Sequence, residues 1–154
     1  LLILVTTGCS KKEDRYGAAK VAYTDAMKIH DEIMPRMDEM YSLERKLKSI
    51  QDSLAIDTIL NSGVLHQISE HLVSLDLAGK DMMNWMHNIK DIPGETPDAA
   101  HHHAVSNTER HEIENLDEVL KVQLDQKAKI DSIRTKMLKS IDDAREFLKT
   151  LGTP

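Results

Sequence analysis

The chain has one cysteine, one tryptophan, one phenylalanine and three tyrosines in 154 residues. A single thiol cannot close an intramolecular disulfide, so stability has to come from apolar packing. Aromatic residues make up 3% of the chain, too few rings for the stacking platforms that single-stranded nucleic acid requires. Positive charge is also short. Lys and Arg number 20 against 26 Asp and Glu, the reverse of the basic surface that displaces counterions from phosphates. Nucleic acid is not an expected partner. There is no glycine-rich phosphate loop and no G-x-S-x-G nucleophile elbow. His111-Glu112-Ile113-Glu114-Asn115 starts like a zinc-protease motif but carries asparagine where the second imidazole must stand, so the i,i+4 ligand pair is lost. Acidic groups such as Asp142-Asp143 and Glu114, Asp117 and Glu118 fall on polar helix faces, where solvation and i,i+4 pairing account for them. An enzyme is not expected.

The only strongly apolar run opens the sequence: Leu1-Leu2-Ile3-Leu4-Val5-Thr6-Thr7-Gly8-Cys9, followed by the polar Ser10-Lys11-Lys12-Glu13-Asp14. Spanning a bilayer takes about 20 apolar residues, so this run is too short to cross, but it suits the end of a signal-peptide hydrophobic region. With no basic segment before it, the run reads as the remnant of a longer signal peptide. The junction resembles the lipobox of bacterial lipoproteins, with Gly8 before the cysteine and Thr6 where that family usually carries Leu. The resemblance implies that Cys9 is acylated with a diacylglyceryl group and becomes the first residue after cleavage. Such multiple acylation gives durable anchoring, whereas one chain gives only marginal binding. The expected organisation is a signal remnant at 1–8, a lipid-anchor site and tether at 9–16, and one helical domain at 17–152. The expected location is the bacterial cell envelope, lipid-anchored in the outer membrane.

From Gly17 to about Asp57 the apolar positions follow a helix, with Ala26, Ile33, Met40, Leu47 and Leu54 seven residues apart and Ile29, Leu43 and Ile50 completing the seam. A straight helix of that length would run for about 60 Å, which predicts an elongated fold. Pro35 interrupts it. Proline lacks the N–H that would bond the Asp31 carbonyl and its ring crowds that group, so a kink is expected near Met34. Asn61-Ser62-Gly63 supplies turn chemistry before a second pattern of Leu65, Ile68, Leu72, Leu75, Met82, Met86 and Ile89, with Gly79 at a seam position. Ile92-Pro93-Gly94 and Pro97 then break the periodicity. Ser106-Asn107-Thr108-Glu109 reads as a capping box. The third stripe runs through Ile113, Leu116, Leu120, Leu124, Ile130, Met137, Ile141, Ala144, Leu148 and Leu151, with Gly152 as its stop. The fold class predicted is all-α: an elongated, antiparallel, coiled-coil-like three-helix bundle whose first helix is kinked at Pro35.

Three blocks carry a further resemblance: Ile29-His30-Asp31-Glu32-Ile33-Met34-Pro35-Arg36-Met37, then Met82-Met83-Asn84-Trp85-Met86-His87, then Ser140-Ile141-Asp142-Asp143-Ala144. Together they are similar to small bacterial lipoproteins often labelled viral A-type inclusion protein. The likeness implies a helical lipoprotein and brings no activity with it.

Eight Met and eight His are spread unevenly. His30, Met34 and Met37 share one side of the first helix, and Met83 and His87 repeat the i,i+4 spacing. A turn centred near Ser62 would set Met37 opposite His87 and Met40 opposite Asn84. A second turn near Asp98 would bring His111 across from Trp85, with His101, His102 and His103 in the capping loop. Thioether and imidazole ligands in an exported protein favour Cu(I) or Ag(I), with Trp85 available to cover the ion. His30, Met34, Met37, Met83, Met86, His87 and His111 are the candidate ligands of that alternative. Haem is disfavoured because Trp85 alone could wall a porphyrin. The ordinary explanation is packing, since methionine is an adaptable core filler and Met40, Met82 and Met86 stand where other helices carry leucine. The leading expectation is therefore a non-enzymatic interaction or structural module without a cofactor. It would be bound to the membrane through Cys9 and would pair with a protein partner or with itself.

Overall fold

The computed structural model describes residues 8–57, 60–93 and 115–152, and the side chains from 13 onward other than that of Asp57. Among these, four helices carry the structure: α1 (Gly8–Ile33), α2 (Arg36–Leu54), α3 (Ser62–Asn88) and α4 (Leu116–Thr150), with one 3₁₀ turn at Ala55–Asp57. No strand occurs among the described residues. The fold is an all-α three-helix bundle whose first member is broken at residues 34–35. At the break, Met34 N–H still bonds the His30 carbonyl at 2.9 Å and Met37 N–H bonds the Met34 carbonyl at 3.0 Å. Pro35 itself keeps helical dihedrals, φ −61° and ψ −20°, so the chain bends where one backbone bond is missing and then resumes as α2.

The chain divides into two compact units, Leu1–Lys28 with Ile89–Ala128, and Ile29–Asn88 with Lys129–Pro154. In the second unit α2 and α4 each run antiparallel to α3. Gln51 Nε2 donates to Ser69 Oγ at 3.3 Å, the His71 and Phe147 rings stack at 4.7 Å, and Lys136 meets Asp81 at 2.6 Å. An Arg145–Glu39 ion pair joins α4 to α2. The buried face of the first arm is Ile33, Met37, Met40, Leu43 and Leu47, that of α3 is Ile68, Leu75, Ala78, Met82 and Trp85, and that of α4 is Ile130, Ile133, Met137, Ile141, Ala144, Phe147 and Leu148. Each large side chain of this set contributes about 1.5–3 kcal/mol by leaving water, while exposed ion pairs contribute about 0–1 kcal/mol each. The core decides the fold. Ser140, the buried hydroxyl in this seam, is satisfied by donating to the Met137 carbonyl at 2.9 Å. The helix α4 ends where Gly152 adopts φ +71°, a left-handed geometry that costs glycine nothing.

The first unit is built differently. Here α1 and α4 run parallel, tied by Arg15 to Asp117 and by Lys127 to Asp25 at 2.5 Å. Among the described residues, those of α1 buried in this unit are small: Ala19, Ala22 and Ala26. Residues 89–93, which follow α3, are not helical. They lie against this pair as a strap, with Ile92 buried. On α4 the inward position is Gln123, 1% exposed, whereas Leu124 is 50% exposed. The predicted stripe was one residue out of phase here, because a buried amide with good partners takes the place the apolar count assigned to leucine.

Candidate functional site

Cys9 lies in the first turn of α1, which begins at Gly8. Residues 10–15, expected to form a tether, belong to the same helix. The backbone alone accounts for this: no proline or interior glycine separates Cys9 from Tyr16, so no helix breaker stops α1 from extending to Cys9. His101, His102, His103, His111 and the capping box at Ser106 lie outside the described residues.

The Met/His candidates of the second unit differ in burial and in the partners they meet. His30 is buried at the end of α1, its ring stacked on Trp85 at 5.7 Å with a 25° tilt and its Nδ1 3.0 Å from the Asp31 carboxylate. Met37 is also buried, but its Cε lies beside Gly79, where an added Cβ would meet it at 3.6 Å and Met40 Cε at 3.9 Å. Met34 and Met86 are half-buried. Met83 is 41% exposed, and His87, also exposed, donates Nδ1–H back to the Met83 carbonyl at 2.6 Å.

The expected facing of Met37 and His87 is therefore not realised. Met37 sits level with Gly79, eight residues before His87, which is about 12 Å along a helix axis. The cause is the turn. Asn61-Ser62-Gly63 is not the centre of the α2–α3 connection but the start of α3: Leu65 N–H bonds the Asn61 carbonyl at 2.9 Å, and Asn61 Nδ2 closes the end of α2 by donating to the Leu54 carbonyl at 3.1 Å. The reversal lies earlier, so α3 is displaced against α2 relative to the predicted register: Gln51 meets Ser69, four residues before the Val73 which that register sets opposite it, and the Met37 side chain reaches Gly79. His30 is the residue that stands at the level of Trp85. Among the described residues, no three His, Cys, Asp or Glu side chains come together at metal-ligand spacing.

Periodicity did not reveal the polar cluster of the first unit. Gln126 and Gln123 there bond the backbone of Lys90, and Tyr23 and Tyr16 bond Asp91 and Pro93. The signal available was only indirect: glutamines and tyrosines near the inner face of helices whose seam is otherwise alanine. Comparison of the chain with protein families, curated proteins and solved structures finds no match.

Proposed function

We propose that this chain is an exported lipoprotein, acylated at Cys9 and held in the cell envelope by that lipid, whose helical bundle serves as a non-enzymatic interaction module. The reading is carried by one observation, the placement of the sole cysteine directly after a short apolar run and in the first turn of a polar helix. No described helix is long and apolar enough to cross a membrane. The methionines favour packing over ligation: Met37, Met40, Met82 and Met137 are all buried at helical spacing. The outer face of α3, opposite its buried stripe, carries Val73 and Leu77, 57% and 56% exposed, between the His66–Glu70 and Asp76–Lys80 ion pairs. Adjacent aliphatics on a solvated face suit a protein contact of modest size.

The test is expression in a bacterium with labelled palmitate. Label should enter the protein, the protein should sediment with membranes, and Cys9→Ser should release it unlabelled. A free, alkylatable Cys9 thiol in a protein recovered from the soluble fraction would refute the anchor.

A further inference from the structure

In the first unit, the strap formed by residues 89–93 is held by contacts that read its backbone. Lys90 N–H donates to Gln126 Oε1 at 2.5 Å, and the Lys90 carbonyl accepts from Gln126 Nε2 at 3.2 Å and from Gln123 Nε2 at 3.1 Å. Gln126 Nε2 also donates to Gln123 Oε1 at 2.7 Å, which fixes the two amides relative to each other. One side-chain amide thus satisfies both the N–H and the C=O of a single residue, as a neighbouring strand would. Those bonds are indifferent to the side chain at that position.

Selectivity comes from the next three residues. Asp91 accepts at its Oδ1 from Tyr23 OH at 3.2 Å, Ile92 is buried, and the Pro93 carbonyl accepts from Tyr16 OH at 3.4 Å. Tyr16 and Tyr23 are seven residues apart and share one side of α1, with buried Ala19 and Ala22 between them. Their small side chains leave depth that a larger residue would fill. Because residue 93 lies by Tyr16 and residue 91 by Tyr23, the strap runs antiparallel to α1. The Arg15–Asp117 and Asp25–Lys127 ion pairs also join α1 to α4 directly.

We propose that this face of α1 and α4 is a peptide-docking groove. Its trans occupant is an extended segment of a partner protein with the sequence chemistry acidic, aliphatic, proline, and residues 90–93 fill it in cis as an internal competitor. Backbone capture with a pocketed alternate side chain is a recurrent mode of peptide recognition. A strap held by one aliphatic anchor and a few hydrogen bonds is the kind of local structure that opens without global unfolding. Tethering gives the internal copy a millimolar effective concentration, so the native chain favours the closed form and a free peptide has to compete. The inference rests on the interaction-module reading but not on acylation of Cys9, and the titration below gives the same answer whether or not Cys9 carries lipid.

The experiment uses a fluorescent, end-capped peptide Ile-Lys-Asp-Ile-Pro-Gly titrated into the full chain and into Ile92→Ser, which removes the internal anchor. Binding should be at least tenfold tighter to Ile92→Ser than to the native chain. It should be lost when Gln126→Ala is added or when the peptide's second Ile is replaced by Asp. Lys90→Pro, which deletes the N–H given to Gln126, provides a second strap-weakened chain should Ile92→Ser lose helicity by circular dichroism. A helical, strap-weakened chain that ignores the peptide overturns the proposal, as does binding that Gln126→Ala leaves unchanged. A native dimer that the peptide dissociates would assign the groove to a second copy of the chain and overturn the assignment to a different protein.

Discussion

Gly79 shows how a single residue sets the depth of packing in the second unit. A Cβ there would stand at ordinary van der Waals distance from the tips of two flexible methionines, so Gly79→Ala should be accepted. Because glycine within a helix costs roughly 0.5–1 kcal/mol relative to alanine, the substitution should raise the denaturation midpoint. Gly79→Leu should lower it, because the added branch reaches into space held by Met37 and Met40 and overpacking costs about 1–3 kcal/mol. Urea unfolding followed through Trp85 emission would measure both, since Trp85 is buried in the same unit. Equal destabilisation by Ala and Leu would show that the methionines cannot give way. The seam position of Gly79 was legible from spacing alone. Its partners were not, because they depend on register, and register depends on where the chain reverses.

At the scale of elements, the sequence was most legible where apolar spacing was strongest. The kink at Pro35, the stripes of α2 and of the second half of α4, and the stop at Gly152 all follow from local rules: a missing donor, a seven-residue repeat, a left-handed glycine. The α2–α3 reversal was misplaced because asparagine, serine and glycine favour turns and helix starts alike, and here Asn61 serves the second purpose. That shift sets Met37 against Gly79 rather than His87. Asn61→Ala should cost about 1 kcal/mol, the usual net worth of one hydrogen bond, through loss of its bond to the Leu54 carbonyl. Substituting Asn88, whose amide bonds only within its own helix turn to Asn84, should change stability by less than about 0.5 kcal/mol. Paired thermal melts of the two variants would check the contrast, and equal losses would remove Asn61 from the role assigned to it.

For the whole molecule, the two units differ in what holds them. Among the described residues, the second has a core of isoleucine, leucine, methionine, phenylalanine and tryptophan, while the first has three alanines, Ile92 and the buried amide of Gln123. Alanine burial contributes little apolar area, so the first unit should lie at the low-stability end of the structure. Hydrogen exchange should therefore be at least tenfold faster in residues 13–28 and 116–128 than in residues 37–47, 68–85 and 130–148. Uniform protection would contradict this division. Spacing could not anticipate it, because a helical repeat records which side faces inward and says nothing of how much each inward residue fills.

Met82 and Met83 are neighbours in sequence with opposite surroundings, one with no exposed surface and one 41% exposed. Thioethers accept oxygen in proportion to their access to solvent oxidants, and the sulfoxide formed is polar. Mild peroxide should therefore mark Met83 well before Met82, Met37 or Met40, leaving the interior unaltered. Under oxidative attack the chain would thus carry an outer thioether that is consumed, and can be restored by reductases, without loosening the bundle beneath it.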